Sequence, residues 1–253
     1  MKLEYQVSDG IGVVVLSDPP SNALRRPDFA DRAALVAFLA TDDLRGVILR
    51  GAGHHFSAGA DLGELERLAA EGGFEEGGEF AQQLEEGKAL LSAIAFAPVP
   101  VVAMIRGSCL GAGLEIALAA HFRVASENAV LGFPESGLGL MPGLGGTASA
   151  TEVIPRRVAA DLMMTGKLLS AAEALELGLV DRVVPTRDLE AATRRFLDEL
   201  LARRSPRVVH AIMRAIHNAR QLPRDAALRE EGKLFLEIAR ATAHLEGGGG
   251  ERK

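Results

Sequence analysis

Two acidic residues, Glu115 and Glu135, stand 20 positions apart in glycine-rich segments whose other residues are mostly apolar. Glu115 belongs to GAGLEIALAA, and Glu135 belongs to FPESGLGLMPGLGG. A carboxylate among apolar neighbours loses hydration, which raises its pKa toward the range where it exchanges protons near neutral pH. Two such carboxylates facing one substrate can take a proton at one atom and deliver a proton at another. This pair of residues therefore predicts general acid–base chemistry.

Each of these glutamates also has a simpler interpretation. Glu115 lies one turn into a predicted helix, where an exposed acid would only complement the positive N-terminal end of the helix. Its apolar neighbours Leu114 and Ile116 argue against such exposure. Glu135 would be a solvated acid if residues 135–146, where glycine and proline rule out a regular helix, formed a plain connecting loop. Both alternatives stay open on the residues alone.

Two further segments place backbone N–H groups beside glycines at predicted helix starts. HHFSAGADL (54–62) leads to Ala60 and Asp61, and RGSCLGAGLEIA (106–117) leads to Ala112. Glycine lets a backbone approach a ligand closely, and the free N–H groups at a helix start favour negative charge. If amides from these two helix starts face one oxygen, they form an oxyanion hole. In the simpler interpretation, the first segment is a strand-to-helix turn capped by Asp61.

The elements that must position these groups alternate between strands and helices, which predicts parallel pairing through helical crossovers. The predicted strands are IGVVVLSDPP, RGVILRGAG, VPVVAMIRG and two short strands in FRVASENAVLGF. The predicted helices are Pro27–Leu39, Asp61–Ala70, Glu79–Phe96, Gly111–His121, a capped helix starting at Ser170, Asp188–Leu201, Pro206–Arg220 and Arg224–His244. The acidic, glycine-rich residues 71–79 are predicted to form a mobile loop or lid.

Two regions follow from this order of elements. Residues 1–190 are predicted to form an α/β core, and residues 191–253 a helical extension. The helices of the extension are too few and too short for an independent core, so they should pack on the main domain or on a neighbouring subunit. The closing EGGGGERK is expected to be a flexible tail.

Composition excludes several classes of protein. The chain has 253 residues, of which 48% are hydrophobic, and a net charge of −6, which argues against nucleic-acid and anionic-membrane partners. Cys109 is the single cysteine, so disulfide frameworks and Cys-based zinc sites are excluded, and the six histidines show no metal-ligand spacing. The N-terminal MKLEYQVSDG has no features of a signal peptide, and the apolar runs are too short to span a membrane. We therefore expect a cytoplasmic protein.

Taken together, FSAGADL, GAGLEIA and PESGLGLMPGLGG resemble the crotonase (enoyl-CoA hydratase/isomerase) superfamily. The NAL at residues 22–24 and the run TGKLLSAAEALELGLVDRVV at residues 165–184 are also similar to that family. The resemblance implies an α/β fold of the ClpP/crotonase type, a spiral of ββα turns with a C-terminal helical extension. It also implies a homotrimer or a dimer of trimers, an acyl-CoA thioester as substrate, and no metal or organic cofactor.

The resemblance further implies a role for each motif residue. The amides of Ala60 and Ala112 would hold the thioester oxygen, Glu115 would activate water for attack at C3, and Glu135 would exchange the proton at C2. The implied activity is that of an enoyl-CoA hydratase, a lyase adding water to a 2-enoyl-CoA. The residues implied to bind substrate or CoA are Ala23, Leu24, Arg25, Ser57, Ala58, Gly59, Asp61, Leu62, Gly111, Pro134 and Gly143.

Some positions depart from the family pattern. Ala112 stands where glycine is usual, which keeps the backbone donor but narrows the pocket. Ser136 follows the second acid in place of a branched apolar residue, so it would hydrogen-bond Glu135 or favour a polar substrate. The usual CoA-covering C-terminal segment is missing. Arg25 and Arg26 are candidates for binding CoA phosphates, although exposed arginines are commonly just solvated.

Two alternative functions remain. The first is an enoyl-CoA isomerase or another enolate-forming acyl-CoA enzyme of the same superfamily, for which one glutamate can suffice. The second is a non-catalytic scaffold that binds acyl-CoA or RNA. The net charge of −6 and the lack of a Lys-rich helix speak against RNA binding.

Overall fold

A computed structural model of the chain describes residues 2–25 and 31–247. Its main sheet has six strands in the order β1-β2-β3-β4-β6-β9. β1 and β2 form an antiparallel hairpin, and every later neighbour in this sheet pairs in parallel, as the alternation of strands and helices predicts. The bounds are β1 (Lys2–Ser8), β2 (Ile11–Ser17), β3 (Gly46–Gly51), β4 (Val101–Ile105), β6 (Phe122–Ser126) and β9 (Arg182–Val184).

A second sheet of three short strands lies beside the first. It consists of β5 (Ser108–Leu110), β7 (Val130–Gly132) and β8 (Leu168–Ser170), in the order β5-β7-β8. The two short strands predicted within residues 122–133 are therefore confirmed, but they belong to different sheets. Strands β1, β5, β8 and β9 were not predicted, and the last three have only three residues each, too few for a periodic pattern.

The helices agree with the prediction to within a few residues, and two helix starts show the expected capping. The Asp61 side chain accepts a hydrogen bond from Glu64 N–H, and Ser170 forms a reciprocal capping box with Glu173. The helices are α1 (Arg32–Leu39), α2 (Leu62–Ala70), α3 (Glu79–Ala95), α4 (Ala112–Ala119), α5 (Gly146–Val153), α6 (Arg156–Thr165), α7 (Ala171–Glu176), α8 (Leu189–Leu201), α9 (Pro206–Gln221) and α10 (Arg224–Gly247).

Four further predictions concern the loops and the ends of the elements. The part of the first helix predicted over residues 27–30 and the end of the tail, residues 248–253, lie outside them. Residues 71–78 form turns between α2 and α3, as predicted for a loop. The loop predicted over residues 135–146 contains a 3-10 turn, Pro134–Leu138, before α5 begins.

The core surrounds α4, the helix that carries Glu115. Every residue of this helix after Ala112 is buried, which is the pattern of a helix packed on all its faces. The opposite face of the main sheet is covered by α8, whose Leu197 and Phe196 pack with Val102 and Val124 of the strands. A catalytic side chain on α4 therefore starts from a rigid position.

The C-terminal helices α9 and α10 pack along each other and bury few side chains. On α9, Val209 is buried, while Ile212 and Ile216 are exposed. On α10, Phe235 is 71% exposed. Over residues 2–25 and 31–247, none of the helices combines the length and the apolar character that crossing a bilayer requires.

Candidate active site

Residues 54–62 and residues 106–117 run side by side, which brings Ala60 near Ala112. Ser57 N–H donates to the carbonyl of Ser108 at 3.0 Å, and Leu110 N–H donates to the carbonyl of Ser57 at 3.0 Å. Gly59 has φ +88°, and a Cβ placed there would lie 2.6 Å from the Leu110 carbonyl oxygen. Only glycine permits this approach. The same Cβ position is 3.4 Å from the amide nitrogen of Ala112.

The amides of Ala60 and Ala112 are free to bind a ligand oxygen. Leu24 N–H donates to the Gly59 carbonyl at 2.8 Å, and Asp61 N–H donates to the Leu24 carbonyl at 3.1 Å, so the backbone on both sides of Ala60 is held. Among the hydrogen bonds of residues 2–25 and 31–247, none is donated by Ala60 or Ala112 N–H. Ala112 is the first residue of α4, where the helix dipole favours negative charge. Two neighbouring amides without a protein acceptor are what an oxyanion hole requires.

A buried asparagine supports this loop from behind. Asn22 is fully buried with φ +52°, and its Nδ2 donates to the carbonyls of Ala52 at 2.9 Å and His55 at 2.8 Å. Ser57 Oγ donates to the Asn22 carbonyl at 2.8 Å and accepts from Gly59 N–H at 3.1 Å. These bonds shape the turn that presents Ala60.

Glu115 is held rigidly inside the protein. It is 1% exposed, and its Oε1 accepts from Leu144 N–H at 2.8 Å and from Gly146 N–H at 2.6 Å. Burial raises the pKa of Glu115 to about 7, although the amide hydrogen bonds act in the opposite direction; the charge of Glu135 contributes a smaller increase. Its carboxyl group can therefore take up or release a proton near neutral pH.

Glu135 approaches the same place from the 3-10 turn. A Cβ on Gly111, the N-cap of α4, would lie 2.9 Å from Glu135 Oε1, so this carboxyl group lies against the start of the helix that carries Glu115. Its Oε2 is buried and has no hydrogen-bond partner among the described residues. Burial raises the pKa of Glu135 as well.

One cavity of about 640 Å³ joins these groups. Glu115, Glu135, Ala60 and Ala112 all line it. A pair of proton-exchanging carboxyls and a pair of free N–H donors therefore face the same space. The predicted binding residues that line this cavity are Leu24, Arg25, Ala58, Gly59, Asp61, Leu62, Gly111, Pro134 and Gly143.

Comparison with known proteins identifies the family. The family model described as Enoyl-CoA hydratase/isomerase matches residues 6–249. The chain belongs to the enoyl-CoA hydratase/isomerase family. This membership places it in the crotonase superfamily, as the three motifs predict.

Individual relatives match along almost the whole chain. A probable enoyl-CoA hydratase of Bacillus subtilis (strain 168) is 32% identical over 247 residues, covering 97% of this chain and 93% of the relative. A probable enoyl-CoA hydratase of Mycolicibacterium paratuberculosis is 35% identical over 90% of this chain and 86% of its own length. The crystal structure of an enoyl-CoA hydratase from Bacillus anthracis is similar with a TM-score of 0.83 and 31% identity, over 97% of this chain and 93% of that one. The predicted crotonase fold is thereby confirmed.

Three predicted residues of this enoyl-CoA hydratase/isomerase family member do not reach the cavity wall. Ala23 and Ser57 are buried and do not line the cavity. Their side chains lie behind the turn at residues 57–61, which we call the oxyanion loop. Ser136 does not line the cavity either, and its Oγ lies 3.3 Å from the Cβ position of Gly166. The structure therefore lends no support to a polar substrate contact by Ser136.

Arg25 lies at the cavity wall and forms ion pairs with two acidic residues. Its Nε lies 2.9 Å from Asp61 Oδ2 and 3.5 Å from Asp18 Oδ2, and the side chain is half-exposed. These contacts fix the guanidinium where a polar part of a ligand can meet it. Arg26, the other predicted phosphate contact, lies outside the described residues.

Sequence reasoning placed residues 71–79 and the helix after them at the acyl end of the pocket, but it did not name the apolar side chains that line the site. The spacing of Leu65 with Leu68 and of Phe80 with Leu84 on two amphipathic helices was the available signal. It also missed the anchoring of Glu115 by residues 144 and 146 and the support from Asn22. The apolar side chains on the wall that were not predicted are Leu65, Leu68, Phe74, Phe80, Leu84, Leu138, Leu140, Met141 and Leu144.

The described part of the chain offers no group of side chains suited to a metal ion. Within residues 2–25 and 31–247, no cluster of three or more His, Cys, Asp or Glu side chains has an arrangement that could hold a metal ion. Cys109 is fully buried, and burial raises the pKa of its thiol. His217 lies edge-on to Phe96 with ring centroids 3.9 Å apart.

Proposed function

We propose that this protein is an enoyl-CoA hydratase that adds water across the C2=C3 bond of a 2-enoyl-CoA thioester. The observation that supports this proposal is the meeting of Glu115 and Glu135 in one cavity with the free amides of Ala60 and Ala112. An oxyanion hole alone would serve many enolate-forming reactions. A pair of proton-exchanging carboxyls beside it suits the addition of water, which needs one proton removed and one delivered.

The amides act on the thioester carbonyl. When water attacks C3, electrons move from the C=C bond toward the carbonyl, and negative charge develops on its oxygen. Donors from Ala60 and Ala112, already positioned by the two glycine turns, stabilise that charge without reorganising. Each such donor contributes about 3 kcal/mol in comparable sites.

The carboxyls share the proton transfers. Glu115 removes a proton from water as the oxygen bonds to C3, and Glu135 delivers a proton to C2. Two amide donors favour the negative charge on Glu115, whereas Glu135 Oε2 has no donor among the described residues and can carry the proton. The cycle closes when the proton taken up by Glu115 replaces the one that Glu135 gave to C2, so water supplies both added groups and the reaction as proposed uses no metal or organic cofactor.

The direct test is hydration of crotonyl-CoA and longer 2-enoyl-CoA esters by the purified protein, followed as loss of the enoyl-thioester absorbance. Formation of the 3-hydroxyacyl-CoA supports the proposal, and no hydration of any such ester contradicts it. Incubation with a 3-enoyl-CoA in D₂O separates the isomerase alternative, because isomerisation exchanges carbon-bound hydrogen without adding oxygen.

We also propose that the working form is a homotrimer or a dimer of trimers. Several large apolar side chains on α9 and α10 are exposed, and such surfaces commonly lie in subunit contacts. They are Ile212, Ile216, Leu228, Phe235 and Leu236. Light scattering coupled to size-exclusion chromatography gives the mass directly, and a monomer at micromolar concentration contradicts this proposal.

A further inference from the structure

The position of Glu115 determines where the far part of an acyl group must run. With the thioester oxygen at the amides of Ala60 and Ala112, C3 has to face Glu115. That carboxyl is held by the backbone of residues 144 and 146, so we expect the carbons beyond C3 to run beside residues 143–144. There the Cβ position of Gly143 lies 3.4 Å from Leu84 Cδ2, at van der Waals contact. The acyl chain therefore meets α3 first at Leu84.

Beyond Leu84 the cavity wall is apolar. Phe80 lies one turn earlier on α3, and its ring packs edge-to-face on Phe74 of the loop over residues 71–78, with centroids 5.1 Å apart. Leu68 of α2, only 2% exposed, also lines this part. We call Leu68, Phe74, Phe80 and Leu84 the acyl arm. A chain placed along it is removed from water, which strengthens binding about fourfold for each methylene.

The cavity extends from Arg25 and Asp61 past the amides of Ala60 and Ala112 to the acyl arm. Its volume of about 640 Å³ suits a drug-sized ligand. A crotonyl group has one methyl carbon beyond C3 and ends at Leu84, leaving the two phenylalanines uncovered. Phe74 lines the cavity and is 46% exposed, so part of its ring is open to an apolar tail.

We propose that the acyl arm selects a 2-enoyl-CoA with a medium-length apolar tail, of the octenoyl class, over crotonyl-CoA. This inference rests on the proposed hydratase function. Leu84, Phe80 and Phe74 are its specificity-determining residues. They act on the tail beyond C3 and leave the amides and carboxyls that act on the thioester unchanged.

The first test measures binding without chemistry. Butyryl-CoA and octanoyl-CoA lack the C=C bond and cannot be hydrated, so calorimetric titration of the unmodified protein reports their dissociation constants alone. We expect octanoyl-CoA to bind at least about tenfold more tightly, given the burial of four additional methylenes. Equal affinities for the two esters overturn the inference.

The second test fills the acyl arm. Leu84→Trp should reduce the preference for octanoyl-CoA to about twofold or less, because the indole occupies the path of the tail. Phe80→Ala should also reduce the preference, through lost contact area. Leu175→Trp, at a 41% exposed position on α7, is the matched control and should keep the preference of the parent protein. If Leu84→Trp does not fold, the preference for octanoyl-CoA over butyryl-CoA in Phe80→Ala and in the unmodified protein still tests the inference.

The outcomes separate this inference from the proposed function. If crotonyl-CoA is hydrated but the length of the tail changes neither binding nor kcat/KM, the proposed selectivity of the acyl arm is wrong and the proposed hydratase function is retained. If no 2-enoyl-CoA is hydrated while octanoyl-CoA binds preferentially and Leu84→Trp abolishes that preference, the hydratase is wrong and the arm stands. Equal weakening of both esters by Leu84→Trp contradicts the arm.

Discussion

Gly146 and Glu115 are in such close contact that the position of the carboxyl group depends on the absence of a side chain at residue 146. Gly146 N–H donates to Glu115 Oε1 at 2.6 Å, and a Cβ on Gly146 would lie 2.9 Å from the same oxygen. The hydrogen bond needs this close approach. A residue 31 positions further along the chain thus positions the proposed base.

Gly146→Ala should therefore impair the proposed catalysis. Its methyl group pushes the carboxyl of Glu115 away from the reacting carbon, and a misplacement of this kind costs about 100-fold in rate. The measurement is kcat with a hydrated 2-enoyl-CoA. Gly232→Ala is the control, because a Cβ there meets nothing within 4 Å. An unchanged kcat in Gly146→Ala would show that Glu115 tolerates displacement or has no role.

Neutralising either carboxyl should reduce turnover without removing ligand binding. Glu115→Gln and Glu135→Gln keep the shape of the side chains but lose proton exchange, so we expect kcat to fall by about 10²–10⁴ for each. The double variant should lose little more, because the two groups act as a unit. Steady-state kinetics give kcat, and calorimetry with a saturated acyl-CoA gives affinity.

The exposed Glu176→Gln on α7 serves as the control for these substitutions. A parallel loss of acyl-CoA affinity and turnover would point to a structural role for the glutamates. Activity retained in either variant at the parent level would remove that residue from the mechanism.

Glu115 should make the stability of the protein depend on pH. Its pKa of about 7 exceeds the ordinary value of 4.5, so between these values the folded state holds more protons than the unfolded state. The stability from this group is complete below pH 4.5 and is lost as the pH rises through 7. Glu115→Gln stays neutral throughout, so above pH 7 it should be more stable than the parent by about 3 kcal/mol.

Urea denaturation of the parent and Glu115→Gln across this pH range measures the difference. We expect the gain in the free energy of unfolding to shrink toward zero as the pH falls to 4.5. A difference in the free energy of unfolding that is constant with pH, or that grows toward acid, would show that burial of the Glu115 charge does not cause the change in stability. The combination of higher stability with lost activity is the usual mark of a functional buried acid.

Removing the Asn22 side chain should loosen the oxyanion loop. Asn22→Ala leaves the part-buried carbonyls of Ala52 and His55 without their side-chain donor, which should lower the free energy of unfolding by about 1–3 kcal/mol. Turnover should fall as well, since Ala60 loses support. The measurements are urea denaturation and kcat.

Asn22→Gly separates two causes in this experiment. Residue 22 has φ +52°, a conformation that glycine adopts freely and alanine does not. If Asn22→Gly regains the parent stability, backbone strain explains the loss in Asn22→Ala and the hydrogen bonds contribute little. Asn218→Ala on α9 is the control for loss of an asparagine remote from the loop.

Local patterns predicted much of this molecule because the interactions behind them are local. The caps of α2 and α7 depend on a polar side chain and amides three residues further on, and both are present. The two glycine turns and the helix starts after them likewise depend on a few consecutive residues. The amides of Ala60 and Ala112 could therefore be named from the sequence.

Contacts between distant segments could not be predicted in the same way. Strands β8 and β9 are too short to show a period, and the division of β6 and β7 between two sheets depends on their partners. The acyl arm joins α2, α3 and the loop between them to Gly143, about sixty residues later in the chain, and no spacing within one segment reports such a meeting.

Residue types and short-range spacing were enough to select two acids, two backbone donors and the family, because carboxylate chemistry and helix-start amides are properties of a few neighbouring residues. Tertiary packing alone decided that both acids open into one cavity, that residues 144 and 146 hold Glu115, and that an apolar arm continues beyond it. The reason is physical: burial, which raises the pKa of both acids, and register between strands arise only when separate segments exclude water together.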